Sequence, residues 1–231
     1  MSNAAHQWTQ FYTGNAEMMY PAEAVIRIFK GSYPNLKMPK PKRGDKILDV
    51  GCGDGRHFEL FSDLGMELAG TEITQDIVNS VAENLSAVGE IGIHPDLRVG
   101  TCAKLSWPND SFNYLLTWNS CYYMGPDGKF EDHVAEMARV LKPGGWIVCS
   151  VPKSSCFIFE SIHPVIPADG YVTIVHDHFG LRNGERMRFF RGAGELEVAF
   201  EPHFTNFNHA SIDIDMFGLA YNWHVIVAQR T

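Results

Sequence analysis

The chain has 231 residues, a formal net charge of −8, and 45% hydrophobic and 20% charged residues, enough to bury the core of one large α/β domain. The acidic balance excludes a general nucleic-acid binder, which carries a basic face, and no apolar run is long enough to span a bilayer. Five cysteines without any CxxC spacing speak against a disulfide framework or a thiolate zinc site. Residues 1–20 also lack the basic-then-apolar layout of a signal peptide, so a reducing, cytoplasmic setting is expected.

Residues 21–33 predict a helix, because Pro21 suits a first turn and Val25, Ile28 and Phe29 recur at helical spacing. Residues 34–44, rich in Pro, Lys and Gly, read as a connector. Residues 1–44 are therefore expected to form an N-terminal helical lid and connector, and 45–231 the core. From Lys46 the pattern alternates. KILDV is a strand, 56–64 a helix with Phe58, Phe61 and Leu64 on one side, and MELAGTE a second strand. Thr74 caps a helix running to about residue 87. DLRVG is a short strand, and Phe112 to Trp118 is a strand apolar on both faces, as a covered parallel sheet requires. Phe130 to Leu141 reads as an amphipathic helix, ended by Lys-Pro-Gly-Gly at 142–145, and WIVCSV is the next strand. This alternation implies a parallel sheet with right-handed crossovers.

The pattern changes at about 152–193, an expected lid insertion with prolines, aromatics and a hairpin around Asn183-Gly184, a pair favoured in two-residue turns. Residues 194–203 suggest a short helix. SIDIDMF and NWHVIVAQR read as closing strands.

The most informative stretch is ILDVGCGDGR at 47–56. Glycines at 51, 53 and 55 permit a tight strand-to-helix turn and close approach of a ligand to the main chain. The spacing is GxGxG rather than the GxGxxG of a dinucleotide site, where pyrophosphate rests on the helix N-terminus. Asp49 adds a carboxylate beside the loop, which suits a cationic group better than a phosphate. Glu72 ends the second strand, where a carboxylate can accept hydrogen bonds from both ribose hydroxyls. A ribose, a positive amine and no pyrophosphate match S-adenosylmethionine.

The sequence resembles the class I S-adenosylmethionine-dependent methyltransferases of the small-molecule type. ILDVGCGDGR, GTEIT at 70–74, VGTCAKLSWPNDSFNYLLTWNS at 99–120 and LKPGGWIVCSVP at 141–152 carry the resemblance, in order and at family-like spacing. It implies a Rossmann-like three-layer sandwich with a seven-stranded, mostly parallel sheet whose last strand is antiparallel. It also implies roles for the matching residues. Gly51, Cys52 and Gly53 contact the cofactor through backbone, Asp49 orients the loop and the methionine amine, and Glu72 binds ribose. Ile73 packs on adenine, Thr101 and Cys102 edge the ring, and Asn119 lies near the methionine end. Thr101 and Asn113 both stand where the family often has Asp. The first change makes the adenine contact neutral, and the second concerns the opening of a strand.

The acceptor should enter at the carboxyl ends of the strands, covered by the N-terminal stretch and by 152–193. Tyr12, Tyr20 and Tyr123 are candidate contacts with it, and His163 and His209 candidate bases. His176 and His178 alternate as metal ligands on a strand would, but with no third ligand a hairpin end explains them, and no metal is expected. The reading is a methyltransferase acting on oxygen or nitrogen of a small polar metabolite, without nucleic-acid or membrane partners. A non-catalytic S-adenosylmethionine-binding sensor or scaffold is the alternative, followed by a nucleotide-dependent oxidoreductase.

Overall fold

The computed structural model describes residues 3–14, 20–89, 92–162 and 166–231. Helix α1 spans Asn3–Gly14 and α2 spans Glu23–Lys30. The first crossover unit follows as β1 (Lys46–Val50), α3 (Phe58–Asp63), β2 (Glu67–Glu72), α4 (Gln75–Ser86) and β3 (Asp96–Val99). Then come β4 (Phe112–Trp118), the two-residue β5 (Tyr123–Met124), α5 (Phe130–Val140) and β6 (Leu141–Pro152). The remainder holds β7 (Tyr171–Thr173), β8 (Arg186–Arg188), α6 (Ala193–Phe200), β9 (Phe204–Met216) and β10 (Leu219–Arg230).

Seven strands form one sheet in the order β3-β2-β1-β4-β6-β10-β9. The first five are mutually parallel, β10 is antiparallel to β6, and β9 is antiparallel to β10. The expected Rossmann-like sheet with an antiparallel last strand is thus present. The chain leaves β1 toward one edge and returns at β4 to build toward the other. That reversal opens a crevice at the carboxyl ends of β1 and β4.

Alternation along the strands divides the core into two layers. Leu48 and Val50 of β1, Leu115 of β4, and Ile147, Cys149 and Val151 of β6 face one side with Phe130, Phe190, Phe200 and Phe204. Ile47, Tyr114, Leu116, Trp118, Trp146 and Val148 face the other, with Val25 and Phe29 of α2 and Phe58 and Phe61 of α3. A strand covered on both faces buries successive residues, which is why β4 and β6 read as continuous apolar runs. Thr74 caps α4 as expected, its hydroxyl accepting from the Ile77 N–H. Asn113, at the opening of β4, accepts from the Lys46 N–H and from Lys142 Nζ, each at 3.0 Å. It therefore ties together the starts of three adjacent strands.

Three expectations are corrected. Lys-Pro-Gly-Gly does not precede the strand after α5 but lies within it. Phe112 pairs with Leu141 and Tyr114 with Trp146, so residues 142–145 bulge outward around Gly144, which sits at φ 79°. The closing strands are longer than their alternating segments suggested. β9 begins at Phe204, seven residues before the SIDIDMF segment, in a stretch without apolar alternation, because an edge strand need not be apolar. Asn183-Gly184 is not a two-residue hairpin turn. β7 and β8 do pair antiparallel, but the connection spans 174–185. A tight type I′ turn needs positive φ at both central residues, and of the pair only Gly184, at 81°, has it. The buried Asp177 organises the loop instead, accepting from the Leu181 N–H at 2.9 Å while its own N–H donates to Asn183 Oδ1 at 2.7 Å. β5, β8 and β7 form a separate three-stranded sheet.

Among the described residues no helix is long and apolar enough to cross a membrane. Helix α2 is held to the sheet through ring contacts of Phe29 with Phe61 and Tyr114, at centroid distances of 5.0 and 6.1 Å. Phe61→Ala leaves a cavity under both α2 and α3. It should lower unfolding stability by about 3–5 kcal/mol, measured by urea denaturation at constant m-value.

Candidate functional site

The glycine loop leaves β1 with Gly51, Gly53 and Gly55 all at positive φ, 73°, 64° and 87°. Space is as restrictive as backbone conformation. A Cβ on Gly51 would lie 2.6 Å from Ser120 Cβ, and one on Gly53 would lie 2.8 Å from the Tyr12 hydroxyl. The loop is therefore wedged between the end of β4 and helix α1. Ser120 completes the wedge by donating to the Val50 carbonyl at 2.5 Å.

Glu72 ends β2 only 6% exposed. Its Oε1 accepts from the Gly53 N–H at 2.7 Å and its Oε2 from the Ile73 N–H at 3.0 Å. Burial dominates its ionisation and pushes the carboxyl up to about 7, against the two backbone bonds, with nearby Asp49 adding to the rise. Each oxygen still has lone-pair capacity for a further donor.

Asp49 is buried. Its Oδ2 accepts from His57 Nδ1 at 3.0 Å, while its Oδ1 and His57 Nε2 have no hydrogen-bond partner among the described residues. His57 follows directly on the glycine loop, and its pairing with Asp49 was not anticipated from sequence. The signal was the carboxylate eight positions upstream, at the strand end, where the loop folds back. Cys52 and Cys102 are buried thiols held well above their ordinary value by burial first, with Glu72 adding to it. Both are packing groups rather than nucleophiles.

These residues surround a cleft of about 1500 Å³ at the carboxyl ends of the strands. Gly51, Cys52, Gly53, Glu72, Ile73, Thr101, Cys102 and Asn119 all lie on its wall, as do Tyr12 and Tyr123; Asp49 does not. Asn119 takes φ 60° as it leaves β4. Ser150 of β6 fixes it, the Ser150 hydroxyl accepting from the Asn119 N–H at 2.9 Å and donating to Asn119 Oδ1 at 2.7 Å.

Aromatic residues also line the cleft. Trp8 stacks on Tyr12 and meets Tyr123 edge-on, with centroids 5.7 and 6.0 Å apart. Burial, with Glu72 and Asp54 near, holds the Tyr12 phenol far above its usual value, so it is a proton donor and not a phenolate. Arg182, another residue not singled out from sequence, lies 5.3 Å from the Trp8 ring centroid. Its Nε donates to the Tyr123 hydroxyl at 3.0 Å and its Nη1 to Asp177 Oδ1 at 3.1 Å. It thereby joins α1, β5 and the 174–185 loop.

Other candidates are not brought to the cleft. Tyr20 is 89% exposed and absent from the cleft wall. His209 sits exposed on the edge strand β9, its Nε2 bonded to Glu197 at 2.5 Å. Its side chain faces α6, away from the crevice. His163 lies outside the described residues. The rings of His176 and His178 are 5.8 Å apart, but His178 bonds Glu160 at 3.0 Å and Asp177 is committed to Arg182. Among the described residues no group of three His, Cys, Asp or Glu could hold a metal ion.

Residues 48–149 match the family described as methyltransferase domain. A probable S-adenosylmethionine-dependent methyltransferase of Mycolicibacterium smegmatis is 27% identical over 161 residues, 67% of this chain and 59% of the relative. A ubiquinone biosynthesis O-methyltransferase of Roseobacter denitrificans is 27% identical over 52% of this chain and 48% of its own. The chain spans about half the length of the curated relatives it matches. A SAM-dependent methyltransferase structure from Methanosarcina mazei superposes with a TM-score of 0.66 at 19% identity, over 92% of this chain and 99% of that one.

The buried carboxylate leaves a signature in stability. Because the folded-state value of Glu72 is raised from 4.5 to about 7, its contribution is fully present below about pH 4.5 and is lost as pH rises through about 7. Thermal melts of the unliganded protein from pH 5 to 8 should show this loss. Glu72→Gln, whose side chain does not titrate, should flatten that part of the profile.

Proposed function

We propose that this chain, whose residues 48–149 match the family described as methyltransferase domain, is a class I S-adenosylmethionine-dependent methyltransferase that moves a methyl group from S-adenosylmethionine to an oxygen or nitrogen of a small polar metabolite. The observation that carries the reading is the cradle of Gly51, Gly53 and Glu72. The loop has no room for side chains, and the adjoining carboxylate already orients the loop N–H while keeping acceptor capacity free.

The residues present fit the cofactor. Glu72 holds the ribose hydroxyls, and the backbone of Gly51, Cys52 and Gly53 approaches the ligand where a Cβ would block it. Ile73 and Cys102 offer an apolar seat to adenine, with Thr101 at its edge. Asn119, pinned by Ser150, faces the methionine end. Asp49 lies behind the loop, off the cleft wall, and its buried carboxylate lends the loop a negative potential that suits a cationic ligand better than a phosphate. When bound, S-adenosylmethionine supplies a sulfonium-activated methyl group.

What remains for the chain is alignment. Tyr12 and Trp8 from α1, Tyr123 from β5 and Arg182 from the 174–185 loop cover the acceptor side. The N-terminal helix and the insertion at about 152–193 act together as a lid, tied by the Arg182–Trp8 and Arg182–Tyr123 contacts. The lid holds the nucleophile in line with the methyl group and excludes water from the reacting centre.

Two measurements test this. A metabolite panel should yield turnover that forms S-adenosylhomocysteine. Glu72→Ala should weaken S-adenosylhomocysteine binding by roughly 1–3 kcal/mol, the loss of its hydrogen bonds to ribose, read by titration calorimetry. Unchanged affinity in that variant removes the ribose role from Glu72.

A further inference from the structure

His133 stands in the first turns of α5 and is 5% exposed, with its accessible edge on the cleft wall. Its Nδ1 lies 2.8 Å from the Cys121 carbonyl oxygen. A carbonyl only accepts, so Nδ1 carries the proton and Nε2 of the neutral ring keeps its lone pair. No protein group among the described residues bonds Nε2. Burial is the largest influence on the ring and lowers its proton affinity, outweighing the opposite pulls of the Cys121 carbonyl and of Asp132 beside it. The imidazole is therefore neutral near pH 7.

Its position follows from three short steps. Gly51 of the cofactor loop abuts Ser120, Asn119 and Cys121 flank Ser120, and Cys121 holds the His133 ring. The free nitrogen thus belongs to the same strand end that carries the methionine-end residue Asn119. The same cleft is lined by Trp8, Tyr12, Tyr123, Phe157 and Tyr221, flat faces suited to a ring. A neutral amine attacks a methyl group without prior loss of a proton, whereas a hydroxyl needs a base. A lone-pair nitrogen held without a protein partner answers the second need.

We propose that His133 is the general base of the reaction and that the acceptor is a hydroxyl group on an aromatic ring, an inference that rests on the methyltransferase reading above. The acceptor oxygen forms the new C–O bond with its lone pair. The C–S bond breaks and its electron pair remains on sulfur as the neutral thioether. The O–H proton passes to His133 Nε2, and the imidazolium returns it to solvent.

The test uses the full chain, S-adenosylmethionine and a panel of phenols graded from nitro-substituted, acidic members to unsubstituted ones. His133→Asn retains a donor for the Cys121 carbonyl and removes the base. It should bind S-adenosylhomocysteine with wild-type affinity and lose roughly 10²-fold or more in kcat. The loss should be greatest for the least acidic phenols, and the acidic limb of the wild-type pH–rate profile should disappear. An equal loss for every phenol, or an unchanged kcat and pH profile, overturns the base assignment. Absence of wild-type turnover on every phenol, with S-adenosylhomocysteine bound, overturns the aromatic-hydroxyl acceptor. Failure of the wild type to bind S-adenosylhomocysteine instead overturns the methyltransferase reading. Independently of activity, the ¹⁵N shifts of the His133 ring in the wild-type complex should report a neutral, Nδ1-protonated tautomer at pH 7. An Nε2-protonated tautomer overturns the proposal even if the variant fails to fold.

Discussion

A carboxylate taken out of water at the end of β2 organises everything around it. Glu72 has both oxygens on backbone N–H groups, one at the glycine loop and one at its own strand end. A buried charge is costly unless hydrogen-bonded, so the loop between β1 and α3 folds to where its N–H meets Glu72. This places Gly53 against Tyr12 and Gly51 against Ser120. The ends of β1, β2 and β4 and the helix α1 are thereby registered to one another around a single group. The raised proton affinity of Glu72 is the cost of that arrangement, and ligand donors would lower it.

The two sides of the cleft are built by different physics. Around the glycine loop the wall comes from main chain and from small or short residues at strand ends, so their positions follow from sheet register. Elsewhere the wall comes from rings and a guanidinium borne by segments far apart in sequence. Trp8, Tyr123, Phe157 and Arg182 meet only because α1, β5, the short turn after β6 and the 174–185 loop converge there. Arg182 sits at their junction with its charge balanced by the buried Asp177. It serves as a fastener between two coverings rather than as a free cation.

Legibility in the sequence follows the same division. Strands β1, β2 and β4 and helices α2 to α5 were readable, because burial on one or both faces imposes a period on residue type. The glycine loop and Glu72 were readable because strained backbone and a buried charge restrict what can stand there. Residues 142–145 misled because a bulge inside a strand has the composition of a turn. The start of β9 was hidden because an edge strand need not be apolar. Asn183-Gly184 carried a hairpin signal that Asp177 overrode from six residues away. Tyr20 had the chemistry of a cleft residue but is exposed and off the cleft wall, which residue type alone does not show. His133 carries no signal of its own in the sequence, where it is one more position of an amphipathic helix.

The sequence by itself determined the alternating strand–helix order, the glycine turn and the acid that faces it, since these depend on local backbone conformation and on near-neighbour packing. Only the tertiary structure decided which histidine, tyrosine and arginine share the cleft. That choice depends on where the 152–193 segment and α1 land on the sheet, a matter of long-range packing with no periodic trace in the chain. The Cys121 carbonyl that sets the His133 tautomer is twelve residues away in sequence and 2.8 Å away in space, and it is the fold that closes that distance.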